Sequence, residues 1–219
     1  MQGKGGCHMR TKSFALVALL AIVVCSLSGC FLYKGFSYSG VVEELEGYGL
    51  QRLWKTEDIN DLKNRLESGS TPSAFYATDD KDEAGALFDS FVSSSGGTRS
   101  DVVKKIIIAV EKESYEGEQF TSEVYYIDFQ NKKDAESVFY AMHQYNQKSP
   151  KSEMGKKFGY QYTLAYGGNY AYVARRGVYL SGSTIVIVHC FHRNGYKWGF
   201  TANIYDHLGL VDPKTLDEG

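Results

Sequence analysis

A short apolar run near the start of the chain decides which residues are left to fold. The run spans residues 14–27, follows the basic residues Lys4, Arg10 and Lys12, and precedes the first acidic residue, Glu43. A helix needs about 20 residues to cross the ~30 Å hydrocarbon core of a bilayer, so this run is too short to do so. A basic stretch followed by a short apolar run is typical of a secretory signal that is removed. The fold is therefore expected to come from the rest of the chain.

The apolar run ends in a recognisable motif. Leu27-Ser28-Gly29-Cys30 resembles the lipobox of bacterial lipoproteins. The resemblance implies that the Cys30 thiol receives a diacylglyceryl group and that cleavage before Cys30 makes it the mature N-terminus. Two acyl chains hold a protein stably at a membrane, whereas one chain binds only marginally. We therefore expect a signal peptide at 1–29, a short lipidated tether at 30–40 and one extracytoplasmic domain at 41–219.

Charge and cysteine content narrow the classes of partner and fold. Loss of residues 1–29 removes three of the 24 basic residues and none of the 26 acidic ones, which leaves a net charge of −5. An acidic surface argues against nucleic acid as a partner and against electrostatic adhesion to anionic lipid. Of the four cysteines, Cys7 and Cys25 would leave with the signal and Cys30 would be acylated. Only Cys190 remains, so no intramolecular disulfide is expected.

The spacing of apolar residues predicts an α+β domain. Helical spacing predicts helices over 41–48, 59–66, 79–91, 131–142 and 196–208. Strands are predicted over 73–78, 102–110, 123–129, 160–166, 170–175 and 178–189. The continuous apolar stretch around Ile106-Ile107-Ile108 indicates a central strand. We expect an antiparallel sheet with helices on one face.

Segments between these elements are predicted from their polarity and glycines. Gln147–Lys157 is polar and is predicted to be a surface loop. Gly168-Asn169 and Arg176-Gly177 are predicted to supply the positive φ angles that tight turns require. Residues 73–91 and 124–142 also resemble each other at an offset of 51 positions. Two ferredoxin-like β-α-β halves are therefore an alternative arrangement, and chance similarity of two strand-turn-helix units is the other.

Aromatic residues supply the candidate binding surface. Eight of the 17 tyrosines lie between residues 160 and 205. Tyrosine packs broadly and still forms hydrogen bonds, so exposed tyrosines can bind a protein, a peptide or a glycan. The alternative is that tyrosine is simply favoured in half-buried strands. The candidate surface comprises Tyr160, Tyr162, Tyr170, Tyr172 and Tyr179, with Arg175 and Arg176 at its rim.

Catalysis and metal binding have weaker support. In His189-Cys190-Phe191-His192, strand alternation would place Cys190 and His192 on one face and His189 on the other. Two convergent ligands fall short of the three or four that zinc needs, so no metal and no cofactor are predicted. Cys190 follows an apolar strand, where a thiol is inert. The sequence also lacks the recognised nucleophile, zinc and phosphate-binding motifs.

A binding role at the cell envelope is the resulting hypothesis. The chain is predicted to be a lipid-anchored module on the extracytoplasmic face of the cell membrane that binds rather than catalyses. Its C-terminal pattern resembles uncharacterised lipoproteins of Gram-positive bacteria, a resemblance that implies no functional residue. The alternative is an enzyme that modifies envelope polymers without a recognisable motif. The sequence leaves inner and outer membrane open.

Overall fold

An eight-stranded sheet is the framework of the part of the chain that the structure describes. The computed structural model describes residues 36–54, 59–67, 73–92, 100–115, 118–169, 171–193 and 205–217. The helices are α1 (Tyr38–Gly47), α2 (Ile59–Glu67), α3 (Lys81–Phe91) and α4 (Lys132–Asn146). The strands are β1 (Gln51–Arg52), β2 (Ser73–Thr78), β3 (Val103–Tyr115), β4 (Glu118–Phe129), β5 (Lys151–Lys157), β6 (Tyr160–Gly168), β7 (Tyr172–Ser181) and β8 (Thr184–Arg193). These elements belong to one unit, Gly35–Gly219.

The sheet is almost entirely antiparallel. Its strands lie in the order β1-β2-β3-β4-β8-β7-β6-β5. β1 runs parallel to β2, and every other neighbouring pair is antiparallel. The predicted α+β class is confirmed. Two ferredoxin-like halves do not match this order, because β2 and β3 are adjacent and antiparallel although α3 lies between them in the chain. A β-α-β unit of that kind joins parallel strands.

Polar side chains cap three of the helices. The Asp80 carboxylate accepts a hydrogen bond from the N–H of Glu83 at the start of α3, at 3.0 Å. Asn131 plays the same part for α4, and Ser37 does so for α1. Such caps satisfy N–H groups that have no partner within the helix. The predicted starts of α3 and α4 are confirmed, and α1 begins at Tyr38, three positions before the predicted start of the domain.

The two faces of the sheet have different covers. The helix face, as we call it, carries α2, α3 and α4, whose buried residues pack against alternate strand residues such as Ile106, Ile108 and Ile127. The opposite face, the tail face, carries Ile107 and Tyr126, which lie directly opposite each other on β3 and β4. The ring of Tyr38 in α1 contacts the ring of Tyr126, with centroids 5.8 Å apart. Residues 205–217, the C-terminal tail, cover more of this face.

The prediction of helices on one face is therefore wrong. Ile106, Ile107 and Ile108 are all fully buried, and successive strand residues point to opposite faces. A strand that is apolar at every position is buried from both sides. The tail face consequently needs a cover of its own, which α1 and the C-terminal tail provide.

The polar segment predicted as a loop forms an edge strand instead. Residues 151–157 are β5, which pairs with β6 over its whole length. Six of its seven residues are exposed and none is buried. An edge strand in water needs no apolar alternation, and its lysines discourage pairing with other chains. Hydrophobic periodicity therefore gave no signal for this strand.

Two predicted glycine turns are also placed differently. Arg176 and Gly177 lie inside β7, and the turn that follows contains Gly182, whose φ is +60°. A Cβ atom at Gly177 would overlap the Tyr179 ring, so this glycine allows close packing rather than a turn. Gly168 belongs to β6, and the turn after it is held by the Asn169 side chain, which accepts hydrogen bonds from the N–H groups of residues 171 and 172.

Some predictions lie outside the described residues. Most of the helix predicted over 196–208 is among them. Residues 205–207 are helical, and Gly209 follows with a φ of +64°. Within the described ranges, no helix is both long enough and apolar enough to cross a membrane.

Candidate functional site

Most of the predicted tyrosine-arginine surface is not exposed. Tyr179 is fully buried, and Tyr160 and Arg175 are only 5% and 6% exposed. Tyr162 and Tyr172 are half-buried. Cys30 and Tyr170 lie outside the described residues. The expectation of a contiguous exposed aromatic surface is therefore wrong for the described members of the set.

The buried tyrosines bind the C-terminal tail. The Tyr179 hydroxyl donates to the carbonyl of Val211 at 2.6 Å, and the Tyr160 hydroxyl donates to the carbonyl of Gly209 at 2.9 Å. Burial raises the pKa of Tyr160 to about 12 and raises that of Tyr179 well above its ordinary value. Both hydroxyls therefore stay protonated and can donate. A tyrosine in this position buries an apolar ring and satisfies a backbone carbonyl at once.

An ion pair fixes the same tail. Nη1 of Arg175 lies 2.9 and 3.1 Å from the two carboxylate oxygens of Asp212. Arg175 also lies over the Tyr205 ring, with Cζ 5.7 Å from the centroid. Burial alone would lower the pKa of Arg175, but its interactions with Cys190, Asp212 and Tyr205 raise it above its ordinary value. Arg175 is thus a structural cation beneath the tail rather than the rim of a binding surface.

The predicted split of the His189–His192 segment is confirmed. Cys190 lies opposite Arg175 on the tail face, whereas His189 lies opposite Arg176 on the helix face. Cys190 is buried, with its sulfur 3.9 Å from the Tyr205 hydroxyl, and burial raises the pKa of its thiol. Among the described residues, no three His, Cys, Asp or Glu side chains come together as a metal site.

The helix face holds a different candidate site, a row of charged side chains across three strands. Glu123 on β4 lies directly opposite His189 on β8, and His189 lies directly opposite Arg176 on β7. The row lies just beyond the apolar core under α3 and α4. We call Glu123, His189 and Arg176, together with Tyr125, the polar row.

The polar row lines a cleft of about 160 Å³. Its other walls are apolar and come from the end of α3, from α4 and from β8: Phe91, Val92, Met142 and Ile187. Apolar walls with a few converging polar groups are typical of ligand sites, most of which are larger, at about 300–1,000 Å³.

The charges within the row are coupled. The Tyr125 hydroxyl donates to Oε2 of Glu123 at 2.9 Å, and Nδ1 of His189 lies 3.9 Å from the same oxygen. Burial alone would raise the pKa of Glu123, but its interactions with His189 and Tyr125 lower it below the ordinary value. Glu123 is therefore a carboxylate at neutral pH, and it can accept a proton or a hydrogen bond.

Arg176 is the least satisfied member of the row. Its guanidinium lies over the Tyr145 ring of α4, with Cζ 4.7 Å from the centroid. Its Nε is inaccessible to solvent and has no hydrogen-bond partner among the described residues. Burial lowers the pKa of Arg176 from its ordinary value, which reflects the cost of holding this cation away from water. A buried donor without an acceptor costs about 1–3 kcal/mol.

Arg176 belongs to the surface predicted from the sequence, whereas Glu123 and Tyr125 do not. Glu123 lies on the same face of β4 as Ile127 and Phe129, which belong to the apolar core. A charged residue at an inward position of a central strand is a signal that could have been used. The three-strand register that joins it to His189 and Arg176 could not be read from one sequence.

Comparisons with known proteins do not identify a family for this chain. The sequence matches no protein-family model and no curated protein. The chain is similar to the crystal structure of the extracellular domain of PknH from Mycobacterium tuberculosis, at 12% sequence identity and a TM-score of 0.37. The match covers 85% of this chain and 100% of that one. A likeness at this level does not establish a shared fold or a shared function.

Proposed function

We propose that the mature chain is a lipid-anchored binding module on the extracytoplasmic side of a membrane, and that its ligand is a small carboxylate held by Arg176. The observation that carries the ligand part is the largely buried Arg176 cation in the wall of the cleft, whose Nε has no acceptor among the described residues. Guanidinium groups bind carboxylates through paired, charge-assisted hydrogen bonds. A carboxylate in the cleft that Arg176 lines would offset the cost of holding this cation away from water.

The rest of the cleft limits the ligand's size and polarity. About 160 Å³ admits a small molecule or the end of a peptide, and Val92, Met142 and Ile187 favour an apolar substituent beside the carboxylate. Glu123 favours a hydrogen-bond donor at the other end of the row. An N-acylated amino acid combines these features, with a carboxylate, a small side chain and an amide N–H.

The ligand part is tested by binding of defined carboxylates to the purified protein. Acetate, succinate and N-acetylalanine are titrated while backbone NMR signals are followed. We expect N-acetylalanine to bind best and to shift the signals of Val92 and Ile187. Arg176→Gln should abolish these shifts. Lys104→Gln is the matched control, because Lys104 is a half-exposed cation paired with Asp128 in the same sheet, away from the cleft. Equal binding by wild type and Arg176→Gln would contradict the proposal.

The anchor part rests on the lipobox and is tested by metabolic labelling. Cells that express the full chain are fed a palmitate analogue, and its incorporation is compared between variants. Wild type should be labelled, whereas Cys30→Ser should be unlabelled and keep its leader. Cys25→Ser is the control, because it removes a leader thiol outside the motif and should still be labelled at Cys30. Unlabelled wild-type protein would refute lipid anchoring.

A further inference from the structure

One end of the sheet carries an exposed basic surface with an aromatic residue at its tip. The turn between β5 and β6 presents Phe158, which is 74% exposed. Lys156 and Lys157 precede it and are exposed as well. We call Lys156, Lys157, Phe158 and Lys132 the basic tip. An exposed phenylalanine flanked by lysines combines an apolar group with positive charge.

The three lysines surround a shallow depression. It measures about 270 Å³ and is lined by Lys132 at the start of α4, by Lys156 and Lys157, and by the β5–β6 and β7–β8 turns. No acidic residue is among those that line it. Ser181 donates to the carbonyl of Gly159 at 2.9 Å, which ties the two turns together. Lys132 lies 3.4 Å from Glu136, and such an exposed pair contributes little.

The start of the described chain lies at this same end. The ring of Phe36 lies 6.1 Å, centroid to centroid, from the ring of Tyr160, and Tyr160 pairs with Lys157 at the end of the β5–β6 hairpin. Six residue steps separate Cys30 from Phe36. Even a fully extended chain of that length spans at most about 22 Å. Lipid on Cys30 would therefore keep this end of the sheet close to the bilayer.

We propose that the basic tip lies on the anionic surface of the bilayer that holds the acyl chains, with Phe158 at the interface and the lysines at lipid phosphates. This inference rests on the anchor part of the proposed function. Lysines close to an anionic leaflet are attracted to it, although a net charge of −5 works against adhesion of the whole domain. At physiological salt, interactions between exposed charges are largely screened beyond about 8 Å. The attraction of nearby lysines to lipid phosphates therefore outweighs the repulsion from acidic residues farther away.

The contact would also orient the cleft. His189 of the polar row lies five residues along β8 from Thr184, which is at the end of the strand next to the basic tip. Five strand residues span about 17 Å. With the basic tip on the bilayer, the polar row lies about 17 Å along the sheet from the membrane end, outside the lipid.

The depth of residue 158 in a bilayer tests the proposal. The lipidated full-length product with Phe158→Cys carries a nitroxide label, which is selective because Cys190 is buried. It is placed in vesicles of phosphatidylcholine with or without phosphatidylglycerol. Collision with oxygen, which concentrates in lipid, is compared with collision with a water-soluble nickel complex. With phosphatidylglycerol, we expect the label to gain oxygen contact and lose nickel contact.

Two comparisons make the result specific. A label at Ser149→Cys, before the opposite end of β5, should stay in contact with nickel in both kinds of vesicle. Lys156→Glu combined with Lys157→Glu should return the label at 158 to water while the protein still floats with the vesicles.

The possible failures are distinguishable. Lipidated protein that floats with the vesicles but keeps residue 158 in water overturns the basic tip alone. Protein that carries no lipid and does not float overturns the anchor, and this inference with it. A label at 158 that is shielded in cells but accessible in every vesicle overturns the lipid contact in favour of an envelope partner.

Discussion

The two faces of the sheet are closed by different means. On the helix face, α2, α3 and α4 lay apolar side chains such as Phe88 and Phe139 on apolar strand residues. On the tail face, part of the cover is the irregular segment 208–212 of the C-terminal tail, which the strands contact through Tyr160, Tyr179 and Arg175. Apolar contacts hold the cover of the helix face. On the tail face, tyrosine rings pack against the cover and their hydroxyls donate hydrogen bonds to it.

The difference follows from the backbone of each cover. A helix satisfies its own N–H and C=O groups, so its partner surface needs only the right shape and apolarity. An irregular segment that packs on a sheet buries carbonyls without partners of their own. The hydroxyls of Tyr160 and Tyr179 supply donors for Gly209 and Val211. The tyrosines concentrated in the C-terminal strands therefore serve, in large part, to hold the chain's own tail.

Loss of a large side chain from the helix face should have the largest effect on stability. Phe139→Ala leaves a cavity in a fully buried site, which typically costs 3–5 kcal/mol. Urea denaturation would measure the change in the free energy of unfolding. Tyr140→Ala is the control, because Tyr140 is the next residue on α4 and is 47% exposed. Its loss should cost less than about 1.5 kcal/mol, mainly through the ring contact with Phe139. Similar costs for the two variants would argue against a packed helix face.

Loss of the ion pair on the tail face should have a smaller effect on stability but a specific effect on Cys190. Asp212→Asn leaves the Arg175 cation buried without its counter-charge. Removing one partner of a buried pair costs about 3–5 kcal/mol, and the partial exposure of Asp212 reduces this to about 2 kcal/mol. The tail should then open more often and uncover Cys190, which packs beneath Tyr205.

The rate of thiol modification measures that opening under native conditions. We expect slow reaction of Cys190 in wild type, because burial raises its pKa and excludes reagent. Asp212→Asn should accelerate it, whereas Phe139→Ala should accelerate it only as far as global unfolding does. Asp217→Asn is the control, since Asp217 bonds Lys151 and Tyr166 at the exposed end of the tail. Fast modification of wild type would contradict a closed tail face.

The same contrast separates what the sequence predicted from what it did not. Elements with apolar periodicity and a polar cap were predicted closely, such as β2 and the starts of α3 and α4. β5 was missed because an edge strand in water needs no apolar pattern. The predicted turn at Gly177 is wrong, because the sequence alone does not distinguish a glycine that makes room for a ring from a glycine with positive φ. The apolar stretch 106–108 correctly predicted a central strand, but the cover on the second face of the sheet was not predicted.

The candidate site was predictable only in part, for a related reason. Tyrosine enrichment pointed to the C-terminal strands but could not distinguish a ligand platform from a surface that binds the chain's own tail. That distinction depends on Asp212 and the carbonyls of 209 and 211, which are near Arg175 and the tyrosines in space and distant in sequence. The polar row likewise depends on the register of β4, β8 and β7. Arg176 was named, but its partners Glu123 and Tyr125 were not.

The smallest effect on stability is expected from Glu123→Gln, at the point where the helix face stops being apolar. Interactions with His189 and Tyr125 lower the pKa of this carboxyl in the folded chain. A lowered pKa contributes stability that is present above the unfolded-state pKa and is lost as pH falls through the folded-state pKa. Wild type should therefore lose part of its stability as the pH falls below about 4.5, and Glu123→Gln should lose less over that range.

Thermal unfolding between pH 6 and pH 3 would measure how steeply stability falls with pH, with Glu136→Gln as a control on α4. Because Glu123 is about one-third exposed, solvent screening keeps the difference small. Identical slopes for wild type and Glu123→Gln would show that the polar row is uncoupled, and would remove the electrostatic distinction between the cleft and the apolar core beside it.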